Sequence, residues 1–257
     1  MKDISVGIIG GTGGMGLWFA DLLKKEGHTV HVSGRKTKLS SAELAQICNV
    51  VVVSVPISAT AEVIKQVGPL LNQAQLLMDL TSLKIEPLEL MLEHSAAEVI
   101  GCHPLFGPGV LESKGQNVVL CPGRGTKWYP WLKGILDKNR FNVLERTATE
   151  HDEMMAIVQV LNHLNTISLG LALVETGQPL DELSKFSTPI FRAKLDIVKK
   201  LFTECPGLYA DIITGNHEIE KILDTYEHVI REIRKAIKLD GSTGLKDKME
   251  KAAKKLF

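Results

Sequence analysis

The sequence predicts an α/β protein: an N-terminal Rossmann-like, doubly wound, mostly parallel sheet followed by an all-helical C-terminal dimerisation domain. Three observations carry this. A β-branched run from Ile4 to Gly10 leads at once into Gly11-Thr12-Gly13-Gly14-Met15-Gly16 and then into helical spacing. Strand, G-x-G-x-x-G and helix in that order is the dinucleotide-binding arrangement. Short apolar runs then alternate with helical stretches as far as Leu144, as in a sheet with crossover helices. From Thr149 onward strand-like runs vanish and helical periodicity takes over. The boundary is placed at residue 148, giving a dinucleotide-binding domain over 1–148 and a helical substrate and dimerisation domain over 149–257.

Composition narrows the class. At 257 residues the chain can bury a substantial core. Its 30 basic and 30 acidic residues cancel, so no general attraction to nucleic acid or to an anionic membrane is expected. Cys48, Cys102, Cys121 and Cys205 lie far apart with no CxxC pair, so neither a metal site nor a disulfide framework is expected. Met1-Lys2-Asp3 does not open a signal peptide, and Val50–Val53 is far too short to span a bilayer. A soluble, cytoplasmic protein is expected.

In chain order, the glycine loop comes first. Gly11 permits the tight turn, Gly13 lets the backbone approach a pyrophosphate, and Gly16 lets the helix pack on the strand. Thr12, Gly14 and Met15 complete the loop, and the helix N-terminus offers free N–H groups to phosphate. The second strand, Thr29–Val32, ends at Ser33-Gly34-Arg35-Lys36. The acidic residue that holds a ribose 2′-OH in NAD enzymes is missing there. Ser33, Arg35 and Lys36 instead suit a 2′-phosphate, so NADP is favoured over NAD. Ser40 and Glu43 form a capping box for the next helix. Val50–Val53, with no alternation, predicts a parallel strand covered on both faces. It ends at Ser54-Val55-Pro56, ahead of a helix over 58–67. A fourth strand, Leu76–Met78, ends at Asp79-Leu80-Thr81-Ser82-Leu83-Lys84. A fifth, from Glu98, ends at His103 within Gly101-Cys102-His103-Pro104-Leu105-Phe106-Gly107-Pro108-Gly109. Strands at 117–120 and 142–144 flank a helix over 128–136.

One regularity gives this half its meaning. The glycine loop, Ser33–Lys36, Ser54–Pro56, Thr81–Lys84 and His103 all follow the carboxyl end of a strand, the edge at which open parallel sheets bind ligands. His103 and Ser82 therefore share a rim with the cofactor loop. Hydride chemistry needs a proton acceptor there, and a histidine titrates near neutrality.

In the second half, Thr149 and Asp152 are placed to cap a helix running to Glu175. Gln159 and His163, four apart, share one face of it. His151 falls roughly 80 to 120° round from them at 3.6 residues per turn. Thr188-Pro189 starts another helix, with Arg192 in its first turn, where the dipole disfavours a cation. A substrate carboxylate or a surface salt bridge would answer that charge. Helices over 216–238 and 245–256 follow, separated by Asp240–Gly244. Helices this apolar on a half-sized domain point to a second subunit.

Taken together, these motifs resemble the prephenate dehydrogenases of tyrosine biosynthesis. The resemblance rests on the glycine loop, Ser54-Val55-Pro56-Ile57, Asp79–Lys84, Gly101–Pro108, His151-Asp152 through Gln159 to His163, Ser187-Thr188-Pro189-Ile190-Phe191-Arg192 and Leu208–Ile213. The H-P-x-F-G-P and S-T-P-I-x-R blocks are its specific part. It implies oxidative decarboxylation of prephenate with hydride transfer to NADP or NAD. His103 would be the catalytic histidine at the C4 hydroxyl, with Ser82 orienting it. Arg192 would bind a substrate carboxylate, and Gln159, His163 and His151 would line the substrate pocket. A homodimer through the helical domain is implied. Alternatives are an arogenate dehydrogenase and a non-catalytic NADP-sensing binding protein. A β-hydroxyacid dehydrogenase would need a catalytic lysine on the helix from Thr149, where none occurs before Lys185.

Overall fold

The computed structural model describes residues 4–110, 112 and 114–257. Its first half alternates strand and helix: β1 (Ser5–Ile9), α1 (Gly14–Lys25), β2 (Thr29–Ser33), α2 (Ser41–Ile47), β3 (Val50–Val53), α3 (Ile57–Val67), β4 (Leu76–Asp79), α4 (Ile85–His94) and β5 (Glu98–Pro104). Then come β6 (Asn117–Arg124), α5 (Trp128–Lys138) and β7 (Asn142–Glu145). The sheet order is β2-β1-β3-β4-β5-β6-β7. The first five strands run parallel, and β6 and β7 run against them.

The four valines of β3 show why the run is unbroken. Val50 and Val52 face a core layer with Phe19 and Leu23 of α1 and Leu132 of α5. Val51 and Val53 face a second layer with Leu44, Ile64 and Met91 from α2, α3 and α4. Successive strand side chains point to opposite faces, and both faces here are covered by helices. This is the doubly wound architecture expected from the sequence.

The second half is helical: α6 (Ala148–Met155), a π turn (Ala156–Leu161), α7 (Asn162–Glu175), α8 (Leu180–Lys185), α9 (Pro189–Thr203), α10 (Pro206–Thr214) and α11 (Ile219–Leu256). The cap of α6 is Thr147, whose side chain accepts from Glu150 N while Glu150 reaches back. Thr149 and Asp152, expected to form that cap, sit inside the helix, and this frees Asp152 for another task. Within α11, Gly241 leaves helical geometry at φ 57°. Lys248 consequently reaches Glu232 at 2.9 Å. Sixteen residues of straight helix would hold them about 24 Å apart, so the chain doubles back there.

Over 148–175 the run is long and apolar enough to cross a membrane by length and composition. Its polar residues His151 and Asp152 are nevertheless buried against the sheet domain. Elsewhere the helical half leaves apolar side chains bare: Val174, Phe186 and Ile190 are all more than two-thirds exposed.

Candidate active site

The rim begins at the glycine loop. Gly10, at φ +81°, turns the chain off β1, and its N–H donates to Ser33 O at 2.7 Å. A Cβ on Gly16 would lie 2.6 Å from Gly10 O and 2.8 Å from Gly11 Cα. The first turn of α1 therefore rests directly on the loop. Among the described residues no side chain caps α1, and its first turn carries no acid. Its free N–H groups are thus left for an anion from outside the chain. Gly13, Gly14 and Met15 border the cleft beside them. These features fit the pyrophosphate of a dinucleotide.

At the end of β2, Arg35 and Lys36 are exposed. Ser33 is buried, with its hydroxyl 3.4 Å from that of Ser41. The turn therefore offers a ligand the Arg35 and Lys36 side chains, with the Ser33 hydroxyl turned inward.

A cleft of about 480 Å³ runs from the glycine loop to the helical half. Its walls include Ser54, Val55, Pro56, Ser82, His103, Gln159, His163 and Tyr209. Pro108 packs over the loop, so that a Cβ on Gly14 would meet its Cγ at 2.7 Å. Phe106 holds that turn in place, edge-on to Trp18 with ring centroids 5.0 Å apart and stacked on Phe141.

His103 is 3% exposed and is held from behind. Its Nδ1 lies 2.8 Å from His151 Nε2, and His151 Nδ1 lies 2.7 Å from Asp152 Oδ1. The carboxylate can only accept, which fixes the hydrogens in series. His151 donates from Nδ1 and accepts at Nε2; His103 donates from Nδ1. His103 Nε2 is left with a free lone pair. Burial, then His151 and Lys84, press the proton affinity of His103 well below the ordinary 6.5. The imidazole is therefore neutral at neutral pH, the state a base requires.

Asp152 is itself anchored in the sheet domain. It accepts from Lys84 N at 2.9 Å and Ile85 N at 3.0 Å, capping α4, and Asn216 Nδ2 donates to its backbone carbonyl at 2.9 Å. Beside it lies a second buried charge system. Lys84 Nζ meets Asp79 Oδ2, and the Thr81 hydroxyl lies 2.5 Å from the same oxygen. The Lys84 stem crosses β5 at Gly101, where an added Cβ would lie 3.0 Å from Lys84 Cδ and 3.3 Å from Cys121 Cβ.

The phase of the helix explains how α6 and α7 both serve the cleft. At 100° per residue, His163 would lie roughly 120° round from His151, out of line with it. The π turn between them accommodates about one extra residue, returning roughly 100°. His151 then faces His103 while Gln159 and His163 line the cleft. Gln159 Oε1 is buried there with no hydrogen-bond partner among the described residues. His163 sits edge-on to Tyr209, with centroids 4.8 Å apart, and burial lowers its proton affinity.

Family models decide the kinship. Residues 19–144 match the model described as "Prephenate dehydrogenase, nucleotide-binding domain", and residues 147–252 match "Prephenate dehydrogenase, dimerization domain". The chain belongs to the prephenate dehydrogenase family. It is 35% identical over 271 residues to the "Probable arogenate/prephenate dehydrogenase" of Methanocaldococcus jannaschii, covering 98% of this chain and 61% of that one. It is 37% identical over 227 residues to the "T-protein" of Haemophilus influenzae, covering 87% and 60%. The chain thus spans about three fifths of the length of these curated relatives. Among solved structures it resembles Aquifex aeolicus prephenate dehydrogenase in complex with hydroxyphenyl propionate and NAD+, with a TM-score of 0.83 at 20% identity, covering 99% and 98% of the two chains. Synechocystis arogenate dehydrogenase matches at a TM-score of 0.73 and 18% identity, covering 98% of each chain. At those identities the likeness is one of fold.

Two positions that the prephenate dehydrogenase motifs single out stand elsewhere than expected. His151 does not line the cleft; it is 1% exposed and lies behind His103. Arg192 is exposed and borders a different cavity of about 700 Å³, walled by Leu173, Leu195 and Phe202 of α7 and α9. Within one chain it does not join the wall of the His103 cleft. Ser82 does line that cleft, but the contact that orients His103 comes from His151. Sequence reasoning gave Asp152 a capping role at the wrong helix and gave Asp79 and Lys84 no role. The adjacent His151-Asp152 pair was the available signal.

Proposed function

We propose that this chain oxidises and decarboxylates prephenate to 4-hydroxyphenylpyruvate and carbon dioxide, using NADP in preference to NAD, in tyrosine biosynthesis. The observation that carries this reading is His103: a neutral imidazole, fixed through Nδ1, with its other nitrogen free on a cleft shared with the glycine loop.

The oxidised nicotinamide, when bound, supplies the hydride acceptor. The glycine loop and the open N-terminus of α1 would hold its pyrophosphate, with Ser54, Val55 and Pro56 on the adjoining wall. Arg35 and Lys36 would hold the 2′-phosphate. His103 Nε2 takes the C4 hydroxyl proton as hydride leaves that carbon. The ring carboxylate then departs as the ring becomes aromatic. Ser82 hydrogen-bonds at the same hydroxyl. Gln159 Oε1, an acceptor without a partner, takes a donor from substrate, and His163 closes the pocket against Tyr209.

Arg192 binds the side-chain carboxylate in this reading, carried to the cleft by a second copy of the chain. The bare apolar side chains Val174, Phe186 and Ile190 supply the surface for that homodimer. Residues 1–148 form the cofactor domain and 149–257 the substrate and dimerisation domain of a cytoplasmic enzyme.

The test is incubation with prephenate and either cofactor, following the absorbance of reduced nicotinamide. Turnover of arogenate alone would move the assignment to the amino-acid substrate, as the Methanocaldococcus relative's name allows. Cofactor binding with no turnover of either substrate would favour the non-catalytic reading, in which the His103–His151–Asp152 series has no work to do.

A further inference from the structure

We propose that His151, and not His103, is where the substrate's proton rests during turnover. The inference builds on the base assignment above and adds a step. As the substrate O–H bond breaks, a bond forms between that proton and His103 Nε2. The Nδ1–H bond of His103 then breaks in favour of His151 Nε2. His103 ends neutral, in its other tautomer, and His151 becomes a cation against Asp152. When the carboxylate leaves, its bonding pair enters the ring and the C4 oxygen becomes a phenolate; the same path then runs backward and returns the proton to that oxygen, giving the phenol of the product. The relay itself moves only protons, and no proton is released overall.

Three features place the charge there. The transfer distance is short and direct, 2.8 Å between the two ring nitrogens. The Asp152 carboxylate lies 2.7 Å from the far nitrogen of His151 and one whole ring further from His103. Among the described residues, no lysine or arginine side chain pairs with Asp152. Lys84 gives it only a backbone N–H, at 2.9 Å, while the Lys84 ammonium is committed to Asp79. A proton on His151 therefore completes a buried ion pair. A proton kept on His103 would leave opposite charges separated by an imidazole in a low-dielectric interior.

Among the described residues, the titratable and charged groups around His103 are Cys102 on its own strand, Cys121 on β6, Asp79 at the end of β4, Lys84 just before α4, His151 and Asp152 from α6, and His163 and Tyr209 in the wall of the cleft. Burial pushes the Cys102 and Cys121 thiols upward, so they remain protonated. His163 and Tyr209 line the cleft. Among these groups, only the His151–Asp152 pair combines contact with His103 and an unmatched negative charge.

His151 is thus a positioning residue that also stores a proton, and the two roles can be separated. His151→Gln keeps an acceptor for His103 Nδ1–H and a donor for Asp152 but cannot hold the charge. The expected result is a fall in kcat of about 10–100-fold, smaller than the roughly 10²–10⁴-fold worth of a whole general base because His103 still takes the proton. KM for prephenate and affinity for cofactor should stay unchanged. The acid limb of kcat/KM should move to lower pH, because the coupled pair is reduced to the buried His103 alone. Wild-type kcat with an unmoved acid limb would overturn the relay and leave His151 as a prop.

A second measurement uses the native protein. ¹⁵N spectra of the histidine rings in the cofactor complex should show His151 becoming the imidazolium first on acidification. If His103 charges first, the relay is wrong. That titration needs no turnover, so it stands apart from any failure of the dehydrogenase reading, which would show as wild-type inactivity toward both substrates.

Discussion

Lys84 and Asp79 meet as an ion pair whose two side chains are wholly buried, one strand away from His103. Neither charge can be abandoned cheaply in such a place. Lys84→Met alone should lower stability by about 3–5 kcal/mol, because it strands the carboxylate. Combining it with Asp79→Leu should recover part of that loss. Urea unfolding of the two variants tests this; a Lys84→Met protein as stable as the wild type would contradict the pairing.

His103→Asn should lower kcat by about 10²–10⁴. Cofactor affinity should hardly change, since the glycine loop and the β2 turn are untouched. Steady-state rates paired with a cofactor fluorescence titration measure both. Retention of wild-type kcat would mean that the base lies elsewhere.

Replacing Arg35 and Lys36 together with alanine should weaken NADP selectively. Hydrogen bonds to a charged group contribute about 1.5–3 kcal/mol each, so kcat/KM for NADP should fall at least tenfold while that for NAD holds. An equal effect on both cofactors would place the 2′ position away from this turn.

For Arg192→Ala the expected change is in KM for prephenate, which should rise by roughly 10–100-fold at nearly constant kcat, the worth of one charge-assisted hydrogen bond. Unchanged KM would leave Arg192 as a surface cation of α9.

Stability should depend on pH in a window set by the histidines. The proton affinity of folded His103 is held well below 6.5 by burial, His151 and Lys84. As pH falls through 6.5 the unfolded chain gains a proton that the folded chain refuses, so stability declines. Carboxylates such as Glu43 and Glu150, lowered from 4.5, contribute their losses only at more acid pH. The Tm should therefore drop between pH 6.5 and 4.5, and His103→Asn should flatten part of that slope. Calorimetry across the window checks the sign.

Much of this site could be read in the chain because its determinants are local. Each rim segment follows its strand in sequence, so the glycine loop, Ser54–Pro56, Ser82 and His103 were legible as neighbours. The support behind His103 was not, because it comes from 48 residues away on a helix whose phase departs from 3.6 residues per turn. Ordinary helical arithmetic put His151 and His163 on different faces, and the π turn brings them to one side. Asp152 was hidden differently: it caps α4, a helix 67 residues upstream, and no local pattern announces such a cap. Arg192 was legible as a misplaced cation, but within one chain it borders the α7–α9 cavity and not the His103 cleft.

Gly101 has no side chain, yet its emptiness is an electrical property of the protein. The Lys84 stem occupies the space where a methyl would stand. Gly101→Ala would add no charge and remove none. It would press on a lysine whose ammonium is already committed to Asp79, altering the field felt by the imidazole two residues along the same strand. Such a substitution would register first as a displaced pH–rate profile, with the sheet and the cofactor loop left standing.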